Sequence, residues 1–160
     1  MPPVKIYLDT SVPNFATSKG RGPMRETTRE LVKEISKGKY RPFISATVLD
    51  EIKDTTDEKR KRALLNKITE INPSVLKITP KVRELADRYI EHKIIPQKYH
   101  ADAIHLAAAA FHKIPIVVSW NFEHLVKPKT RREVNVVNKK LDYPQIDIVS
   151  PLELVGYPGK

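Results

Sequence analysis

Five short runs rich in β-branched and other apolar residues punctuate the chain, and their spacing constrains its fold more than any other feature. The segments between these runs have helical periodicity. In the clearest one, apolar residues follow an i, i+3, i+4, i+7, i+8 spacing from Val82 to Ile90. Strands that alternate with helices form βαβ units, which build a parallel sheet with helices on both faces. The sequence therefore predicts a single α/β domain with strands in the runs VKIYL (4–8), PFIS (42–45), VLKI (75–78), IPIVVS (114–119) and IDIV (146–149).

The chain is strongly basic. Lys and Arg outnumber Asp and Glu by 29 to 19, which gives a formal net charge of +10. This excess favours a polyanion such as RNA or DNA as the partner, although a solvated basic surface explains the same composition. Part of the excess lies in one segment, where Glu133 is the only acid among six basic residues: Lys127, Lys129, Arg131, Arg132, Lys139 and Lys140.

Several classes of protein are disfavoured by the sequence. No apolar run approaches the roughly 20 residues needed to span a bilayer, and the N-terminus lacks the pattern of an export signal, so we expect a cytoplasmic protein. The absence of cysteine excludes disulfides and thiolate metal sites, which leaves oxygen or imidazole ligands for any metal. A small-molecule hydrolase or phosphatase of another α/β family is an alternative, but neither a Gly-rich phosphate loop nor a Gly-x-Ser-x-Gly elbow is present, which argues against its commonest versions.

A carboxylate follows the first predicted strand directly, at Asp9. Ligands of open α/β sheets bind outside the carboxyl ends of the strands, near the point where the strand order reverses. Burying an unpaired carboxylate there is costly, so Asp9 predicts a nearby counter-ion or metal. The next two residues, Thr10 and Ser11, are candidates for positioning water or phosphate, and each is equally suited to cap the following helix.

Two helices supply further carboxylates. In SATVLDEIKD (45–54), Glu51 lies on the border of the apolar face, whereas Asp50 and Asp54 lie on the solvent side. Glu51 is thus a candidate for site chemistry, against the alternative of an exposed helix charge. Asp102 is the one acid of ADAIHLAAAAFHK (101–113), a segment so apolar that we expect a central, buried helix. Its position in the first turn suits a metal ligand and also stabilises the helix dipole. His105, one turn on, is either a partner of the site or a hydrogen-bonded core residue.

Asn121 follows the fourth predicted strand, in the run IPIVVS–WN. An asparagine after a strand is typical of a turn, but its carbonyl is also able to ligate a hard cation or to orient water. Together with the three carboxylates it forms an all-oxygen set, which suits Mg²⁺ or Mn²⁺.

These stretches resemble the motifs of the PIN-domain ribonucleases, in the VapC-like branch that supplies the toxins of type II toxin–antitoxin pairs. The resemblance begins at the first strand and extends to about Leu154, with the motifs in the family's order. A single motif of this kind is weak evidence, but four in order are strong. The matching segments are YLDTS, ISATVLDEI, ADAIHLAAAA and VVSWNFEHL, followed by a similar tail, VNVVNKKLDYPQIDIVSPLEL.

The resemblance implies a single PIN-like domain over 1–160, with three layers (α/β/α) and a central, mainly parallel five-stranded sheet. It also implies an endoribonuclease that depends on Mg²⁺ or Mn²⁺, frequent homodimers and a cognate antitoxin protein. Many relatives have Asp where this chain has Asn121, so the alternative is a catalytically lapsed PIN-fold module that binds RNA. We predict that the catalytic and metal-binding residues are Asp9, Glu51, Asp102 and Asn121, and that the phosphate backbone of RNA is contacted by Lys129, Arg131 and Arg132.

Overall fold

All five predicted strands are present in the computed structural model of the chain, which describes residues 2–20 and 22–155. The strands are β1 (Val4–Leu8), β2 (Tyr40–Ser45), β3 (Ser74–Leu76), β4 (Ile116–Val118) and β5 (Asp147–Val149). They form one sheet in the order β3-β2-β1-β4-β5, and every neighbouring pair is parallel. The predicted α/β class and parallel sheet are therefore confirmed, while the predicted domain bounds of 1–160 reach residues outside the described ranges.

β1 matches its predicted run, whereas one or both ends of β2, β3, β4 and β5 differ from the predicted runs by one or two residues. β2 begins at Tyr40 because Tyr40 and Arg41 pair with the first residues of β1, a contact that the composition of the run does not reveal. β4 is shorter than predicted. It begins at Ile116, after Pro115, which has no N–H to donate.

Helices cover both faces of the sheet, as the three-layer prediction requires. They are α1 (Ser11–Ala16), α2 (Pro23–Ser36), α3 (Ala46–Lys53), α4 (Glu58–Ile71), α5 (Pro80–Glu91), α6 (His100–Phe111), α7 (Pro128–Lys140) and α8 (Pro151–Val155), with a 3₁₀ turn at Gln97–Tyr99. One group consists of α1, α2 and α4, which contact one another, with α8 packed on α2. A second group is formed by α5, α6 and α7, in which α5 packs against the other two.

The core lies where β1 and α6 meet. Ile6, Tyr7 and Leu8 are fully buried, and so is nearly all of α6, whose residues Ala103 to Ala110 are inaccessible to solvent or almost so. The prediction of a central, buried helix at this position is confirmed. No helix within the described ranges is long and apolar enough to cross a membrane.

The strand order reverses beside β1, and this reversal positions the candidate site. The chain runs outward from β1 to β2 and β3, then returns to place β4 on the other side of β1. Leu8 pairs with Val118, so the residues that leave β1 and β4 emerge side by side at the carboxyl edge of the sheet. Asp9 leaves the first of these strands and Asn121 the second, at the place where open α/β sheets bind their ligands.

Candidate active site

The four predicted site residues come from separate elements at this edge of the sheet. Asp9 follows β1, Glu51 lies in α3, Asp102 is in the first turn of α6 and Asn121 is in the loop after β4. No two of the three carboxylates share a hydrogen bond. Instead, each is held by its own donors: Ser119 and Asn121 link Asp9 to Asp102, whereas Glu51 is held separately by Thr10 and His105.

Asp9 is buried and is held by two serines. Its Oδ1 accepts hydrogen bonds from the backbone N–H of Ser11 (3.1 Å) and from the Ser11 hydroxyl, and its Oδ2 accepts one from the hydroxyl of Ser119 (2.6 Å). The same hydroxyls accept the backbone N–H groups of Trp120 and Asn121, so each serine ties Asp9 to the loop after β4. Burial raises the pKa of Asp9, and the charge of His105 and the serine hydrogen bonds offset this only in part. The ionised form of Asp9 is therefore destabilised by its surroundings.

Ser119 was not predicted from the sequence. It continues β4 as Asp9 continues β1, and the pairing of Leu8 with Val118 brings the two side chains together. The sequence does show a serine at the end of the fourth predicted strand, as Asp9 directly follows the first. Recognising that Ser119 and Asp9 are neighbours requires knowing that these two strands are adjacent in the sheet.

Glu51 is the most accessible of the three carboxylates, with 39% of its side chain exposed. Its Oε1 accepts hydrogen bonds from the hydroxyl of Thr10 (2.8 Å) and from Nε2 of His105 (2.8 Å). Asp50 and Asp54, which the helical pattern assigns to the solvent side, are exposed. Thr10 is the N-cap residue of α1, but its hydroxyl donates to Glu51 and makes no capping hydrogen bond.

Behind Glu51, a buried chain of hydrogen bonds crosses the core. His105 is 2% exposed; its Nδ1 lies 2.6 Å from the hydroxyl of Tyr7, which lies 2.8 Å from the hydroxyl of Ser45. Because an ionised Glu51 only accepts hydrogen bonds, the chemistry of the pair assigns a proton to Nε2 of His105. His105 is therefore a hydrogen-bonded core residue that also contacts Glu51, one of the predicted site residues.

The pKa values of Glu51 and His105 shift in opposite directions. Burial alone raises the pKa of Glu51, but the hydrogen bonds from His105 and Thr10 and the charge of His105 outweigh it, so the pKa is lowered. Burial alone lowers the pKa of His105, but the bond to Glu51 and the charges of Asp9, Glu51 and Asp102 raise it above its ordinary value. Both directions favour the charged forms of Glu51 and His105, whose Oε1 and Nε2 atoms lie 2.8 Å apart, as in an ion pair.

Asp102 is oriented by the loop after β4. Its Oδ2 accepts a hydrogen bond from the side-chain N–H of Asn121 (3.2 Å) and lies 3.4 Å from Nδ1 of His124. The side-chain carbonyl of Asn121 accepts a hydrogen bond from the backbone N–H of His124 (2.9 Å). The bonds to Asp102 and from His124 together fix the orientation of the Asn121 side-chain amide. The His124 ring is held against Tyr99, with centroids 4.0 Å apart. Burial raises the pKa of Asp102 more than the charges of His105 and His124 lower it.

The donor set of this cluster fits a hard divalent cation. Within residues 2–20 and 22–155 no group of three or more His, Asp or Glu side chains is arranged to hold a metal ion. However, the hydrogen bonds of Glu51 go to Oε1 and those of Asp102 to Oδ2, so within the described ranges Oε2 and Oδ1 are available. Asp102 repels Asp9, and Glu51 repels Asp102. A divalent cation offsets such repulsion, and oxygen ligands are those that Mg²⁺ and Mn²⁺ prefer.

The three predicted RNA contacts differ in their surroundings. Lys129 and Arg132 are exposed on α7, and the ion pairs within the described ranges do not include them. Arg131, in contrast, is half-buried, with its guanidinium 3.8 Å from Asp147 and 3.6 Å from Glu153. The acids of β5 and α8 therefore compete with phosphate for Arg131, which makes it the weakest of the three candidates.

Comparisons with known proteins identify the fold. No protein-family model matches the sequence, and a search of curated proteins gives no match. Among solved structures, VapBC2 from Rickettsia felis, bound to a DNA fragment from its promoter, aligns with a TM-score of 0.58 at 15% identity, over 92% of this chain and 98% of that chain. The PIN domain endonuclease Utp24 gives a TM-score of 0.49 at 18% identity, over 94% of this chain and 86% of that chain. A tyrosyl-tRNA synthetase from Archaeoglobus fulgidus, complexed with L-tyrosine, gives a TM-score of 0.48 at 10% identity, over 98% of this chain and 61% of that chain. The chain has a VapC-like PIN-domain fold, as the motif resemblance implied.

Proposed function

We propose that this chain is a metal-dependent endoribonuclease that hydrolyses RNA phosphodiester bonds and acts as the toxin of a toxin–antitoxin pair. The observation that carries the proposal is the convergence of Asp9, Glu51 and Asp102 at the strand-order reversal of a PIN-type sheet. Two of these carboxylates have raised pKa values because of burial, and no described cation other than histidine touches them. Perturbed carboxylates grouped at a ligand-binding edge are typical of a catalytic centre.

Asp9, Glu51 and Asp102 are the proposed ligands of Mg²⁺ or Mn²⁺. Such an ion, when bound, supplies Lewis-acid chemistry to a phosphate group and charge stabilisation to the transition state. Ser11 and Ser119 fix the Asp9 carboxylate through the bonds described above, and His105 fixes Glu51. Thr10, at the rim beside Glu51, has a hydroxyl suited to positioning the attacking water or a phosphate oxygen.

Asn121 has two proposed roles. Its side-chain N–H orients Asp102, and its carbonyl keeps one lone pair beyond the bond from His124, through which it ligates the ion directly or through water. The first role is supported by a hydrogen bond in the structure, and the second is taken from the motif resemblance.

The partners follow from the same proposal. Exposed Lys129 and Arg132 contact the RNA backbone, and Arg131 does so only by exchanging its acidic partners for phosphate. A cytoplasmic location, a homodimer and an antitoxin that blocks the site belong to the proposal as expectations from the motif resemblance.

The test of the proposal is cleavage of labelled single-stranded RNA by the purified chain. We expect cleavage in Mn²⁺ or Mg²⁺ and none in EDTA, with products that carry a 5′-phosphate and a 3′-hydroxyl. RNA binding without cleavage under any divalent ion contradicts the nuclease proposal and supports the lapsed, RNA-binding alternative. Absence of both binding and cleavage contradicts both candidates.

Asn121 provides a second test, through its effect on the metal requirement. Asn121→Asp adds a negative charge beside Asp102, so we expect the Mn²⁺ concentration for half-maximal cleavage to fall. Asn121→Ala removes the donor to Asp102 and is expected to raise that concentration by about 10- to 100-fold, as is usual for residues that orient metal ligands. The measurement is a Mn²⁺ titration at fixed pH, because protons compete with metal for the carboxylates. An unchanged requirement in both variants assigns Asn121 to the turn alone.

A further inference from the structure

We infer that Phe122, supported by Trp120 and Phe15, forms a stacking platform for a base of the bound RNA strand beside the carboxylate site. The inference rests on the proposed nuclease function and deepens it, because it names a contact that positions the strand. Phe15, Trp120 and Phe122 together form this aromatic platform.

The exposure of Phe122 is the first observation. The ring is 49% exposed, although it belongs to one of the most apolar residue types, while the adjacent Trp120 is only 5% exposed. The Phe122 and Trp120 rings meet edge to face, with centroids 6.1 Å apart, and Phe15 lies 5.7 Å from Trp120. The exposed Phe122 ring thus contacts Trp120, which in turn contacts Phe15. Exposed aromatic rings of this kind stack on unpaired nucleobases in proteins that bind single strands.

The aromatic platform is rigidly held. The indole N–H of Trp120 donates to the hydroxyl of Thr28 (2.7 Å), a fully buried residue of α2, and the backbone N–H of Trp120 donates to Ser11 (2.9 Å). The backbone N–H of Phe122 donates in turn to the Trp120 carbonyl (3.0 Å). The loop backbone and the indole that contacts Phe122 are thus fixed, which lowers the conformational cost of stacking a base there and favours binding.

The aromatic platform is also coupled to the proposed catalytic site. Asn121 lies between Trp120 and Phe122 in the sequence, and its side chain donates to Asp102. Ser11 accepts a hydrogen bond from Trp120 and donates to Asp9. A base on Phe122 therefore belongs to a nucleotide close to the phosphate that faces these carboxylates.

The charges around the aromatic platform favour a nucleotide over an apolar peptide. On the Phe15 side, a groove of about 210 Å³ continues along Pro23, Met24 and Arg25. On the other side the chain runs from Phe122 through the exposed Glu123, which lies 3.6 Å from Nε2 of His124, to the basic start of α7 at Lys127 and Lys129. Within the described ranges, none of Arg25, Lys127 and Lys129 belongs to an ion pair. Basic residues outside ion pairs, along the Phe15 groove and at the start of the next helix, favour a polyanionic strand as the partner of an exposed aromatic ring.

The test is binding of a short fluorescent single-stranded RNA to the full chain in EDTA, where the proposed nuclease is silent. Phe122→Ala is expected to weaken binding by about 5- to 150-fold, the range for loss of one stacked base. Phe122→Tyr is expected to restore it, because the aromatic face is kept, whereas Phe122→Leu keeps only apolar volume and is expected to resemble Ala. Val136→Ala, at another exposed apolar position, is the control and leaves binding unchanged. Quenching of Trp120, the only tryptophan of the chain, supplies an independent signal of a base on the platform.

The outcomes separate this inference from the proposed function. If the parent chain cleaves RNA and Phe122→Ala binds RNA as tightly as the parent does, the nuclease function stands and the stacking role of Phe122 is overturned. Equal rescue by Tyr and Leu, or a change of oligomeric state in Phe122→Ala without a change in RNA binding, also overturns it and assigns the ring to a protein contact. Failure of the parent chain both to bind and to cleave RNA overturns the proposed function, and the inference with it.

Discussion

Replacement of Asp9 or Asp102 by asparagine is expected to lower Mn²⁺-dependent RNA cleavage by more than about 100-fold. Each change keeps the shape of the side chain but removes a full negative charge from the proposed ligand set. Because loss of a residue that merely orients a ligand costs about 10- to 100-fold, loss of a ligand is expected to cost more. The measurement is the initial rate of RNA cleavage over a range of Mn²⁺ concentrations. Full activity in either variant contradicts the site assignment.

The stability of the same variants separates a lost site from a lost fold. The pKa of Asp102 is raised mainly by burial, so the ionised side chain destabilises the folded state at every pH above its ordinary value of 3.8. The amide that replaces this carboxylate stays neutral, and we expect Asp102→Asn to raise the free energy of unfolding by about 0.5–2 kcal/mol in EDTA at neutral pH. Asp50→Asn changes an exposed acid of the same charge, and it is the matched control for both activity and stability.

The positions of the carboxylates could be predicted from the sequence because each depends on a local pattern. Asp9 ends an apolar run, and Asp102 opens an apolar helix, so the rule for parallel sheets was enough to bring both to one edge. The orientation of Asp102 could not be predicted, since it depends on an Asn121 amide that the return of β4 brings to α6.

The remaining parts of the site depend on contacts between distant segments. Tyr7 is indistinguishable in the sequence from any core residue of a strand, yet its hydroxyl meets His105, 98 positions away. Arg131 belongs to a basic run that is typical of a polyanion site, but β5 and α8 bring Asp147 and Glu153 to it. The periodicity of apolar residues predicts which face of its helix or strand a residue occupies, but it does not predict which distant residue will contact that face.

The buried chain behind Glu51 carries the second large effect. His105→Leu removes the donor to Glu51 and leaves the Tyr7 hydroxyl with Ser45 alone, in a region inaccessible to water. Breaking such a buried network costs about 1–3 kcal/mol, so we expect a loss of that size in the free energy of unfolding. Because Glu51 then lacks its orienting partner, RNA cleavage is expected to fall by about 10- to 100-fold.

The pH dependence of this loss identifies the Glu51–His105 ion pair as its cause. The lowered pKa of Glu51 contributes stability that is present above its ordinary value of 4.5 and is lost as the pH falls through the folded value. The raised pKa of His105 contributes stability that is present below its ordinary value of 6.5 and is lost as the pH rises through the folded value. Both contributions are complete between pH 4.5 and 6.5, so urea unfolding in EDTA should give the largest difference between the parent and His105→Leu in that window.

His105→Gln distinguishes orientation of Glu51 from simple packing. The glutamine side chain places an N–H donor near the position of Nε2, but it carries no charge and does not titrate. We therefore expect it to recover part of the cleavage lost in His105→Leu, while its stability difference from the parent keeps the same pH window. If Leu and Gln give equal cleavage rates, and the stability loss in both is independent of pH, then His105 only fills space in the core and Glu51 is oriented by Thr10 alone. Recovery with Gln, together with a loss that fades above the ordinary histidine pKa of 6.5, requires that the charge of His105 and its hydrogen bond to Glu51 act together.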